Sequence, residues 1–198
     1  NNIKTNSIDI IYTDPPYSDI INYSELNLVW DSWLSFKSNY KNEMVICEET
    51  GKSFKNYFVL FEKFLNEASR VLKKDKKLVL IFNHPRIDHW SELQKVIINS
   101  KFKILDNLEP FRIVSNNKTS SQHKTNKKTQ SFIAIVLENK KKTNQIKLDT
   151  INEKTVNQIY KIALERNYTS KSQQYDFFIN YSLNRYNLNT KEIFNLLS

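Results

Sequence analysis

The apolar positions of this chain fall into two periods, one suited to buried strands and one to helices. Residues 7–13, SIDIIYT, form a short β-branched run that stops at Pro15 and Pro16, which predicts a buried parallel strand. Leu26, Val29, Trp30, Trp33 and Leu34 then recur at helical spacing, and a polar stretch over residues 38–52 separates them from a longer helix. In that helix Phe54, Tyr57, Phe58, Phe61, Phe64, Leu65, Ala68 and Leu72 trace one face, with Ser53 placed to cap its start. Residues 73–77 read as a charged turn, and LVLIFN over residues 78–83 reads as a second buried strand. A third helix follows over residues 89–99, with Trp90, Leu93, Val96 and Ile97 facing inward. Further strands are expected from Phe102, Glu109 and Ser131, and Trp30, Trp33 and Trp90 are expected to fill the core. This order predicts an α/β fold: a mostly parallel sheet with helical crossovers and an antiparallel closing hairpin.

Helical spacing returns in VNQIYKIAL, YDFFINYSL and KEIFNLL, so residues 146–198 are expected to form a small helical appendage to a main unit over residues 1–145. At 198 residues the chain can bury a sizeable core. Its net charge of +9 favours a polyanionic partner, although Lys, Asn and Ile are abundant throughout, so clustering counts for more than the total. The charge does cluster. Between Arg112 and Lys142 there are eight basic residues and a single acid, Glu138, around a segment over residues 115–130 that has no large apolar side chain. Lys118, Lys124, Lys127 and Lys128 lie in it, and it reads either as a loop or as a set of phosphate contacts. One cysteine, Cys47, and three histidines give no zinc spacing, and no metal is expected. The absence of a leader or a membrane-length apolar run leads to the expectation of a cytoplasmic protein.

The candidate chemistry lies where the first strand ends, in TDPPYSD. Ligands of open α/β sheets bind at the carboxyl ends of the strands. Each proline fixes its own φ and extends the residue before it, and neither offers an N–H, while both keep a carbonyl acceptor. A carboxylate beside such a carbonyl suits an exocyclic amino group with two donors, and Tyr17 supplies a face on which a base could stack.

DIIYTDPPY resembles motif IV of the amino-group DNA methyltransferases, which use S-adenosylmethionine and carry Asp-Pro-Pro-Tyr at the end of the fourth strand of a Rossmann-like sheet. The resemblance extends through DPPYSDIINYSEL, RVLKKDKKLVLIFNH and HWSEL to a bacterial adenine-specific subfamily and covers residues 7–138. It implies a catalytic set of Asp14, Pro15, Pro16 and Tyr17, with Asp14 as the acid, Pro15 as the carbonyl acceptor and Tyr17 as the stacking ring. Asp14 and Pro15 would also make edge contacts with the cofactor. Asp19, Tyr23 and Glu25 occupy the places of family residues that follow the signature; Asp19 and Glu25 read equally as solvated or capping acids. Asn83 and His84, at the end of the second strand, are either cleft-lining residues or a polar cap. The implied activity is transfer of a methyl group to the adenine amine in DNA, Asp14 favouring adenine where cytosine enzymes more commonly carry Ser-Pro-Pro.

The family's glycine-rich cofactor turn has no counterpart, because Gly51 is the single glycine and lies between helices. The expectation is therefore a partial methyltransferase fold from the fourth strand onward. A missing N-terminal segment or a second polypeptide would supply the cofactor-binding strands, and the first strand would expose an apolar edge. The competing expectation is a noncatalytic DNA-binding or assembly subunit of a split methyltransferase or of a restriction or defence complex.

Overall fold

The computed structural model describes residues 2–36, 40–105, 132–142, 147–188 and 193. Strand β1 (Ile8–Thr13) leads through α1 (Tyr23–Leu34), two short 3-10 turns (Tyr40–Asn42 and Glu48–Thr50) and α2 (Phe54–Val71) into β2 (Leu72–Phe82). There follow α3 (Ile87–Asn99), β3 (Phe102–Ile104), β4 (Ile133–Asn139), β5 (Asp149–Thr150), α4 (Glu153–Glu165), α5 (Lys171–Ser182) and β6 (Tyr186–Asn187). The main sheet has the order β1-β2-β4-β3. Strands β1 and β2 pair in parallel, whereas β4 runs antiparallel to both β2 and β3. Three strands thus point one way and β4 returns between two of them, giving the mixed sheet of an α/β fold. The strand expected from Glu109, and the basic segment with Lys118, Lys124, Lys127 and Lys128, lie outside the described residues.

Helices α2 and α3 form where the apolar spacing predicts them. Ser53 accepts the Asn56 amide at 3.3 Å, a cap of the kind that contributes about 1 kcal/mol. The stripe of Tyr57, Phe58, Phe61, Leu65 and Ala68 packs with Trp90, Leu93 and Ile97 of α3 against Leu78, Leu80 and Phe82 of β2. Two parallel crossovers of the same hand put both helices on one face of the sheet.

Three expectations are corrected. Residues 73–77 are not a free turn but belong to β2: the pairing jumps from Ile8↔Leu72 to Ile10↔Lys77, so the charged residues form a bulge in the strand, with Asp75 at φ +60°. Trp30 and Trp33 do not fill the core. Trp90 is fully buried, but Trp30 and Trp33 are 59% and 81% exposed, and α1 buries no residue. Nor is β1 the buried strand expected: it pairs in parallel with β2 but none of its residues is buried, Ile10 and Tyr12 are exposed, and Ile8 and Ile11 pack only partly against the core.

The C-terminal helices share one apolar cluster with the sheet unit through Ile151, Val156, Ile159, Phe177, Phe178 and Leu183. Buried Gln94 of α3 clasps this region, donating to the carbonyls of Leu183 and Tyr186 at 2.8 Å and accepting the Leu188 amide at 3.0 Å. No described helix is long and apolar enough to cross a membrane.

Candidate active site

Thr13 pairs with Leu80, so the chain leaves β1 at Asp14 beside the carboxyl end of β2. Asp14 is exposed, Pro15 buried and Pro16 half-buried. The two prolines differ in their carbonyls. That of Pro16 accepts the hydroxyl of fully buried Tyr57 at 2.6 Å, while no described residue donates to that of Pro15. Burial pushes the Tyr57 phenol well above its ordinary pKa and keeps it a donor. The turn is closed by Ser18, buried at φ +64°, whose carbonyl accepts the Ile46 amide at 3.1 Å. Residues 40–52 therefore brace the site loop through Ile46, with Val45 buried.

Tyr17 donates its hydroxyl to the Asp14 carboxylate, and its ring lies edge-on to Phe82 at 5.7 Å and tilted to Phe132 at 5.8 Å. Burial, and then the adjacent Asp14 carboxylate, push the Tyr17 phenol far above its usual range. Tyr12 and Tyr23 lie close enough to add to that effect. Tyr23 is exposed at the start of α1; Glu25, in the same first turn, accepts from the Asn22 amide group at 2.7 Å, an arrangement that fits a helix-start acid.

Asp19 and His84 meet although 65 residues separate them. The buried His84 Nε2 lies 2.8 Å from the Asp19 carboxylate, and the Arg86 amide donates to His84 Nδ1 at 3.2 Å. With Nδ1 accepting, Nε2 carries the proton and donates to Asp19. Burial lowers the His84 pKa against the opposing pull of Asp19, so the imidazole is neutral. Burial raises the Asp19 carboxyl, but the His84 contact outweighs it and holds the group below its usual range. Asn83, half-buried, bridges β2 and His84.

Sequence reasoning missed Tyr57 and His89. Tyr57 was legible as a core residue only, because its hydroxyl partner is 41 residues away. His89 is buried and stacks on His84 with ring centres 3.4 Å apart and 16° between planes, while its Nδ1 bonds Asp88 at 2.8 Å. The one signal in the sequence is the spacing of five between the two histidines across Pro85. Asp19, His84 and His89 bring ligand atoms within 4.8 Å of one another. The Arg86 amide fixes His84 Nε2 as a donor to Asp19, whereas His89 Nε2 is buried with no hydrogen-bond partner among the described residues.

Gly51 tests the fit of a nucleotide cofactor. It ends the second 3-10 turn at φ +71°, its amide bonding Glu48, and an added Cβ would meet nothing within 4 Å. That is a turn glycine in open space, not a cradle against a ligand, and the chain has no second glycine. The residues present do not fit the cofactor's main binding turn.

Comparison with curated proteins gave no match. A family model described as DNA methylase matches residues 8–194, taking in β1, the Asp14 turn, the whole sheet and the C-terminal helices, and on that match the chain belongs to the DNA methylase family.

Proposed function

We propose that the chain is the catalytic part of an S-adenosylmethionine-dependent methyltransferase acting on the exocyclic amine of adenine in DNA. The observation that supports this best is the pairing of an exposed carboxylate, Asp14, with a Pro15 carbonyl to which no described residue donates, while the neighbouring Pro16 carbonyl is engaged by Tyr57. Two acceptors on one rigid turn match the two N–H donors of an amino group. The adenine amine is a poor nucleophile because its lone pair is delocalised into the ring. Hydrogen bonds to Asp14 and Pro15 localise and aim that pair, so orientation replaces a strong base. The surplus amine proton leaves through the Asp14 carboxylate. Tyr17 donates to Asp14 in the free protein, so base entry exchanges a phenol O–H for a base N–H and frees the ring to stack on the extruded base.

With Gly51 as the single glycine of these residues, the methyl donor's main binding turn is supplied on this reading by further strands. Strand β1 ends the described sheet with β2 as its one neighbour, which supports pairing of its free edge with such strands, from a longer chain or a second polypeptide, and the exposed Ile10 and Tyr12 leave one of its faces to be covered as well. An enzyme of this kind would work in a bacterial-type cytoplasm, in restriction-modification or a related system, with Tyr23, Glu25 and Asn83 as DNA contacts and the charge of Lys118, Lys124, Lys127 and Lys128 favouring phosphate. The missing turn equally favours a second reading, a noncatalytic DNA-binding or assembly subunit.

Transfer of labelled methyl from S-adenosylmethionine into DNA, measured with and without a companion chain, separates the two. The first reading expects incorporation that falls on the order of 100-fold or more in Asp14→Ala. Incorporation indifferent to Asp14→Ala would overturn it, and DNA binding without incorporation by any assembly would establish the second.

A further inference from the structure

The Asp19–His84 contact is built more firmly than a loop carboxylate needs for solubility. The His84 side chain is 2% exposed and is fixed on every side. Nδ1 accepts the Arg86 amide, the ring stacks on His89, and the residue's carbonyl accepts the Trp90 indole N–H at 2.8 Å. Only one tautomer fits this frame, the one that presents Nε2–H to Asp19. The Asp19 side chain remains 43% exposed, on the loop that immediately follows Tyr17. A buried, rigid donor thus holds an accessible carboxylate in one geometry, removing the rotamer freedom that would otherwise be lost on binding a ligand. A carboxylate repels phosphate, so its partner on DNA is a base edge rather than the backbone. Among base-edge groups, a carboxylate complements an amino N–H.

We propose that His84 is a positioning residue, its Nε2–H holding Asp19 as a fixed acceptor for an amino N–H of the DNA substrate. This assignment rests on the methyltransferase reading for its substrate, but the geometry of the pair stands apart from any transfer step. The imidazole contributes no proton and touches no reacting atom. Its effect is on recognition, and it passes through Asp19.

The test uses the full-length protein. Long-range proton–nitrogen NMR on histidine-labelled material is expected to show His84 as the neutral Nε2–H tautomer near neutral pH, with its Nε2 resonance displaced by Asp19→Asn. An Nδ1–H tautomer, or an Nε2 signal indifferent to Asp19→Asn, would overturn the proposal. These readings need no methylation, so they decide the positioning role even if the chain proves noncatalytic. In the methylation assay His84→Phe is expected to raise KM for DNA roughly tenfold or more with kcat little changed. His84→Gln, whose amide can donate in place of Nε2–H, is expected to recover most of the loss. The double variant His84→Phe with Asp19→Asn should be no worse than either single change. Additive losses, or a fall in kcat alone, would contradict the proposal. Asp19→Asn lies on an exposed loop and carries the same comparison if His84→Phe does not fold. Affinity for a duplex oligonucleotide replaces KM where no methyl is transferred.

Discussion

Helices α1 and α2 carry the same apolar spacing and meet opposite fates. In α2 the aromatic stripe is buried, and Lys55, Asn56, Glu62, Lys63 and Asn66 occupy the solvent side. In α1, Leu26, Val29, Trp30, Trp33 and Leu34 line up equally well, yet all are exposed, and Leu28 extends the apolar surface to another side of the helix. Spacing identifies which residues share a face; it says nothing of what that face meets. A helix apolar on most sides is one that belongs inside something. The two unburied elements, β1 and α1, flank the Asp14–Tyr17 turn, whereas α2 and α3 make the scaffold behind it. The molecule is finished on the side that supports the site and open on the side that frames it.

That contrast can be broken at three points. Phe61→Ala, in the centre of the α2 stripe, is expected to cost about 3–5 kcal/mol of stability in urea unfolding. Tyr57→Phe keeps the packing but leaves the half-buried Pro16 carbonyl without its donor, and should cost about 1 kcal/mol. Trp33→Ser is expected to change the stability of the isolated chain by no more than about 0.5 kcal/mol, while reducing self-association or companion binding in sedimentation measurements. A large loss of stability in Trp33→Ser would mean that α1 packs within this chain, and the distinction between the two helices would fail.

Where neighbours in sequence decide a structure, the reading was direct. Helices α2 and α3, the strand before Asp14 and the apolar half of β2 all announce themselves by period and by Pro15 and Pro16. The charged half of β2 did not, since Lys73, Lys74, Asp75, Lys76 and Lys77 have no alternation to show a strand, and their place is set by pairing with β1 over 60 residues earlier. The same limit applies to the site. The acceptor turn was legible as residue types, but the engagement of Pro16 by Tyr57 and the holding of Asp19 by His84 depend on contacts across 41 and 65 residues. Trp30 and Trp33 failed as core residues because a large aromatic at helical spacing reports apolar character, not the presence of a surface to cover it.

The sheet order has a consequence for how the molecule is made. Strand β4 lies between β2 and β3 but is the last of the four to emerge during synthesis, pairing Leu80 with Ile135. Until it arrives, β2 has an open apolar flank, and α2 and α3 have only part of the surface they finally cover. Such late, non-local closure slows folding and leaves nascent chains prone to aggregation. Truncation before residue 133 would therefore remove not a terminal strand but the middle of the sheet.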